Sequence, residues 1–194
     1  ITWKNQNLHS LPARDRAQIV SLLESQPTVE FSMSVSELLR VSNTNLSPQE
    51  QNNLLALVDL TTHAQRDCLT LSSGELKRAF IAHTLASNAK VILLDEPFAQ
   101  LDWPHQKRLA TTMSTWAKEK NTTFVVAAHE LQWILQIANQ ACVLKNGKIL
   151  ATGKPEVIFA QKQFCDLFDF QTLIDENPID GSRRLTIGKN EQQT

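Results

Sequence analysis

The chain predicts an α/β fold: a mostly parallel sheet flanked by helices, with a small helical subdomain and a C-terminal β-hairpin. Three observations carry that expectation. From Leu71 onward, segments of helical and strand period alternate, as they do when helices cover a parallel sheet. Within the alternation, Val91-Ile92-Leu93-Leu94 is a continuous apolar run of the kind found where a strand is buried on both faces. Further on, Asn146-Gly147 between two apolar segments is a strong short-range hairpin signal, which adds an antiparallel pair.

Ile1 and Trp3 alternate with polar residues as in a strand, and residues 19–23 (IVSLL) form a second strand after the polar, proline-bearing segment around Pro12. Residues 35–67 then read as helical. Ser34 with Glu37 and Ser47 with Glu50 have capping-box spacing, and Pro48 sits where a first helical turn accepts it. Next come a helix over about 74–87, a strand over 91–95, a helix over about 104–118, a strand over 124–128 and a helix over 130–139. Residues 141–145 and 148–152 are the hairpin arms, and the tail beyond about Asp169 is polar and weakly patterned. There is no internal repeat or low-complexity tract.

Composition narrows the function classes. With 194 residues, 42% of them hydrophobic, the chain has ample material for one core or for a core with a small appended subdomain. A formal net charge of −1 offers no basic face for nucleic acid or lipid headgroups, so no nucleic-acid partner is expected. No apolar stretch approaches the roughly 20 residues that span a bilayer, and ITWKNQNLHS lacks the charged-then-apolar order of a signal peptide. Any membrane role is therefore borrowed from a partner. Cys68, Cys142 and Cys165 are odd in number and widely spaced, which argues against a disulfide framework or zinc site and fits a reducing cytosol.

The chemistry-bearing motifs lie at element ends. Asp95 and Glu96 follow the apolar run 91–94, and a strand end delivering two carboxylates is suited to a metal and a water beside a bound phosphate. Alone, such acids equally serve to cap the following turn. Leu71-Ser72-Ser73-Gly74-Glu75 opens a helix, whose first N–H groups make an anion site; the plain alternative is an N-cap by Ser72 or Ser73. Asp102 ahead of Pro104 reads as a helix cap, and His129 after FVVAA as a histidine at a strand end.

Taken in order, these motifs resemble those of the ATP-binding cassette (ABC) ATPases, a branch of the P-loop NTPase-like folds, over residues 1 to about 169. The resemblance implies a Walker B element in which Asp95 holds Mg2+ through coordinated water and Glu96 is the catalytic base. It makes LSSGE the signature, usually LSGGQ, which binds the ATP of the opposite subunit through Leu71, Ser72, Ser73, Gly74 and Glu75. Ser73 departs from the family's glycine. His129 becomes the switch histidine at the γ-phosphate, and FAQLD the D-loop with Asp102. For the Q-loop, aligning Phe31 and Val35 puts Ser25 at the glutamine position with Gln26 one place later, and Gln26 is favoured as the residue that senses Mg2+.

The implied layout is a partial catalytic core over 1–30, a helical subdomain over 31–70, the rest of the core over 71–168 and a tail over 169–194. The phosphate-cradling pattern GxxxxGK[ST] does not occur: the five glycines are Gly74, Gly147, Gly153, Gly181 and Gly188. The opening ITWKNQNLHSLPARDRA resembles the segment that follows that loop's helix, so the expectation is truncation ahead of Ile1 and an inactive fragment. SLPARDRA and the stretch from Lys145 onward resemble importers of iron-siderophore complexes, haem or vitamin B12. That subfamily implies ATP and Mg2+ as cofactors, a head-to-tail homodimer, transmembrane permease subunits fed by a substrate-binding protein, and a peripheral place on the cytoplasmic membrane face. The alternative is a non-catalytic interaction module, or a degenerate cassette that contributes only its signature face in trans.

Overall fold

The chain opens on a short hairpin in which β1 (Thr2–Trp3) pairs antiparallel with β2 (Gln6–Asn7). This and the elements below come from a computed structural model that describes residues 1–189. Lys4 and Asn5 at the hairpin tip have φ of 46° and 67°, the left-handed pair that lets a two-residue turn follow the strands' twist. Helix α1 (Ala13–Ile19) follows Pro12, where the sequence suggested only a polar connection. None of its residues is buried, so it has no apolar stripe for a periodicity reading to find. Ile19, expected to start a strand, ends this helix, and β3 is Val20–Leu23.

The helical insert comprises α2 (Val35–Ser42) and α3 (Pro48–Leu57), followed by single 3-10 turns at Thr61–His63 and Cys68–Thr70. Both capping boxes form as their spacing predicts. Glu37 N–H donates to Ser34 Oγ at 3.2 Å and Ser34 N–H to Glu37 Oε2 at 2.7 Å; the Ser47–Glu50 distances are 3.3 and 2.9 Å. The insert closes over Val35, Leu39, Leu55 and Leu60, all fully buried, and α2 packs on α4 (Ser73–Ala86).

Next along the chain come β4 (Val91–Asp95), α5 (Trp103–Glu119) and β5 (Thr123–Ala127). The three strands pair in parallel in the order β3-β4-β5. Leu23 and Leu94 lie opposite each other on one face and are buried to 1% and 3% exposure. The other face presents Leu22, Leu93 and Val125 in one row, with Asp95 beside Ala127 at its carboxyl end. On this face Leu22 and Val125 are 54% and 53% exposed.

The chain folds as two compact units, Ile1–Ala128 and His129–Thr194. The second contains α6 (Leu131–Ile137), the antiparallel pair β6 (Ala141–Lys145) and β7 (Lys148–Gly153), α7 (Pro155–Phe159), α8 (Lys162–Phe168), and a further antiparallel pair, β8 (Phe170–Glu176) with β9 (Arg183–Lys189). Asn146 and Gly147 turn the first hairpin with φ of 51° and 73°. The β8–β9 hairpin corrects the reading of the tail as weakly patterned. On one face Phe170, Ile174 and Leu185 pack on the core cluster, but Leu173 on the other face is also apolar, which blurs the period-2 alternation. No helix among the described residues is long and apolar enough to cross a membrane.

Candidate functional site

Parallel strands deliver their carboxyl ends to one edge of a sheet, and here β3 and β4 end in the segments carrying Ser25-Gln26 and Asp95-Glu96. Asp95 is exposed, on the same open face as Leu93. Glu96 continues the ladder by one bond, its N–H donating to Ala127 O at 2.8 Å, and then leaves it with φ of 47°. A left-handed glutamate costs of order 1 kcal/mol and persists only where its surroundings fix it, a feature that gathers at functional sites. His129 follows Ala127 by two positions and opens the second unit, where its Nε2 is 3.7 Å from Glu130 Oε1. Gln26 lies exposed in the bend after β3.

The signature residues form the start of α4. Ser72 is the N-cap: Glu75 N–H donates to its Oγ at 3.3 Å while its own N–H donates to Glu75 Oε2 at 2.8 Å. The structure therefore shows the capping reading of this segment. The box satisfies the N–H groups of Ser72 and Glu75, and those of Ser73 and Gly74 are the ones a helix's first turn cannot use internally. Ser73 is the first residue of the helix, where φ is negative, so the serine in place of glycine introduces no backbone strain. The Glu75 carboxyl is held below the usual carboxylate range, first by the Ser72 N–H and hydroxyl and further by Arg66 and His63, at 3.5 and 3.3 Å.

The loop after Pro97 is built against that helix start. A Cβ on Gly74 would lie 3.2 Å from Gln100 O, so the close approach this glycine permits within the chain is to the loop 98–102. Gln100 is itself left-handed, with φ of 64°, and Gln106 of α5 donates to the carbonyls of Phe98 and Leu101 at 3.0 and 3.1 Å. Asp102 caps α5, accepting from His105 N–H at 3.1 Å and bonding the His105 ring. The ring contact is the main cause of its lowered pKa.

Sequence reasoning missed Lys77. Its side chain is 1% exposed, and Nζ donates to Glu24 O at 3.0 Å, Ser25 O at 2.7 Å and Asp95 O at 3.5 Å. Burial lowers its pKa, while the Asp95 and Glu96 charges oppose that shift. The signal was available: Lys77 falls in helical register with buried Ile81, Thr84 and Leu85. A lysine on an apolar stripe asks for acceptors at its tip.

A family model described as ABC transporter matches residues 1–99. The petrobactin import ATP-binding protein FpuD of Bacillus anthracis is 28% identical over 192 residues, which cover 94% of this chain and 70% of that protein. The hemin import ATP-binding protein HmuV of Rhodopseudomonas palustris is 32% identical over 181 residues, 87% of this chain and 67% of that protein. Among solved structures, a metal-chelate type ABC transporter in an inward-facing conformation aligns with a TM-score of 0.73 at 22% identity, over 90% of this chain and 73% of that one. An RNase-L inhibitor aligns equally well, with a TM-score of 0.73 at 22% identity over 100% of this chain and 35% of that one. The fold alone therefore does not choose between transport and other work. The family match over residues 1–99, with the 32% identical relative, establishes that this chain belongs to the ABC transporter ATP-binding family.

Proposed function

We propose that the protein is the ATP-hydrolysing subunit of an importer for a metal chelate, haem or a cobalamin-type substrate, and that its nucleotide site needs a phosphate-binding loop that these 194 residues do not contain. The observation that carries this reading is the position of Asp95. Its carboxylate stands at the carboxyl end of the sheet's one open apolar face, beside exposed Leu22 and Val125. Parallel sheets are covered on both faces, so a further helix belongs there, and the helix that follows a phosphate-binding loop fits the place. The petrobactin and hemin import names of the relatives support the cargo class.

The carboxylate oxygens of Asp95 and Glu96 at a strand end are the hard donors Mg2+ takes, so the residues fit the metal. Asp95 would hold it through water, with Gln26 as a further ligand, and the ion would supply positive charge to offset that of the bound phosphates. Glu96 accepts the proton of the attacking water at a carboxylate oxygen, and His129 hydrogen-bonds the terminal phosphate. Leu71 to Glu75 of one protomer close over the ATP of its partner, Asp102 lies in the loop between protomers, and permease subunits dock on the helical subdomain 31–70. The functional partition is thus 1–30 and 71–168 for the core, with 169–194 as the tail. Association with the permease places the protein peripherally on the cytoplasmic membrane face, with a substrate-binding protein as an indirect partner.

The second reading, a cassette that offers only its signature face in trans, is favoured by the missing GxxxxGK[ST] pattern. Two measurements separate the readings. In protein carrying the upstream segment, Glu96→Gln lowers turnover by about 10²–10⁴-fold with ATP binding retained; undiminished turnover removes Glu96 from its role. The 194-residue chain alone binds ATP more weakly than micromolar, and micromolar affinity there contradicts the need for an added loop.

A further inference from the structure

We infer that Lys77 is a positioning residue that locks the carboxyl ends of β3 and β4 to the N-terminal part of α4, so that Glu24-Ser25-Gln26, Asp95-Glu96 and the signature turn move as one body. The β3–β4 ladder runs from Val20 opposite Val91 to Leu23 opposite Leu94. Just past that last rung, the carbonyls of Glu24, Ser25 and Asp95 are joined through one ammonium, with donors to all three. Lys77 thus extends the sheet's cross-strand bonding by a side chain at the point where the two functional segments leave it. An apolar residue of the same length fills the volume and makes none of these bonds.

A second contact on the same helix face supports the assignment. Gly74 precedes Lys77 by three residues and so lies one turn above it, and a Cβ there would meet Gln100 O at 3.2 Å. The first two turns of α4 therefore lie against backbone from three places: Lys77 against the segment after β3 and the end of β4, and Gly74 against the loop 98–102. The identity of those loops as nucleotide-facing rests on the function proposed above. Their mechanical union through Lys77 rests on the hydrogen bonds alone.

The test is amide hydrogen–deuterium exchange on the 194-residue chain without nucleotide, comparing wild type, Lys77→Met and Lys77→Arg. Lys77→Met is expected to speed exchange by about tenfold or more in both 24–34 and 95–102, with α5 and the second unit unchanged, because only the local opening equilibrium shifts. Lys77→Arg keeps a charged donor and is expected to restore protection in both segments together. Unchanged exchange in Lys77→Met overturns the inference, as do a uniform rise across the chain or an effect confined to one segment. Should Lys77→Met not fold, Lys77→Gln, a neutral donor one bond shorter, is read against Lys77→Arg by the same criteria. Since nothing here depends on ATP turnover, failure of this test leaves the ATPase reading standing, and loss of that reading leaves these outcomes interpretable.

Discussion

The two units of the chain satisfy the demand for burial in different ways. In the second, Leu135, Val143, Ile158, Phe159 and Phe164 form a closed cluster, with the rings of Phe159 and Phe164 stacked at 4.9 Å and Phe168 4.9 Å beyond. Its exposed apolar residues Leu144 and Ile149 sit opposite each other on an antiparallel hairpin, a setting that tolerates a wet face. The first unit buries one face of a parallel sheet on Leu23, Ile92 and Leu94 and leaves the other in solvent. That open face carries Asp95. The difference is one of topology: the second unit leaves apolar residues in water on antiparallel hairpins, whereas the first leaves them on the parallel sheet whose end carries Asp95.

The largest expected effects test that contrast directly. Phe159→Ala in the second unit is expected to cost about 3–5 kcal/mol and Leu94→Ala in the first about 2–5 kcal/mol, because each opens a cavity in a closed core. Val125→Ala, on the open face and paired in register with Leu93, is expected to cost under about 1 kcal/mol. Urea unfolding of the three variants checks the order. Equal losses for Val125→Ala and Leu94→Ala break the comparison. With the covering helix proposed above in place, the cost of Val125→Ala is expected to rise above about 1 kcal/mol, because the side chain would then be buried.

What could be read in the sequence follows the same division. Residues 91–95 were legible as a short apolar run between helical segments, and the elements after Leu71 by their alternation. The capping boxes at Ser34 and Ser47 were legible because the spacing is itself the geometry. Helix α1 was not, since it buries nothing, nor was the β8–β9 hairpin, whose outward residues include the apolar Leu173. At the candidate site, the acid pair at the end of β4 and the serine that opens α4 could be placed on those elements from residue type and order. Lys77 did not, because a lysine is read as solvent-facing until its carbonyl partners are seen. The joining of Gly74 to the loop 98–102 is likewise a matter of backbone proximity, which no residue type encodes.

Smaller effects sharpen the comparison within the first unit, which holds the same capping box on the insert and on the signature helix. Ser47→Ala and Ser72→Ala are each expected to cost about 1 kcal/mol, since each removes the acceptor for one first-turn N–H. Thermal unfolding should place the two within about 0.5 kcal/mol of each other. Only Ser72→Ala should also alter nucleotide-dependent dimer closure in protein that binds ATP. A change of similar size in Ser47→Ala means that the signature serine acts only as a cap.

Acid response gives the smallest and most distributed contrast. In the first unit the carboxyls of Glu37, Glu50 and Glu75 are held below their ordinary range, chiefly by N–H and hydroxyl donors of their capping serines, and Asp67 and Asp102 by Ser32 and His105. In the second, among the described residues, Asp175 is lowered by the Arg184 guanidinium across the β8–β9 hairpin. A carboxyl with a lower pKa in the folded state binds fewer protons there than when unfolded. The stability it contributes is therefore present above the ordinary carboxylate pKa of about 4 and is lost as pH falls toward the lowered values. Hydrogen exchange followed from pH 6 down through that range should loosen the helix starts of α2, α3 and α4 before the aromatic cluster of the second unit. Glu75→Gln should remove part of the pH dependence at α4 and leave that at α2 intact. Simultaneous loosening of both units at the same pH would mean that their stabilities are not separable, and that the contrast in burial does not extend to how the chain comes apart.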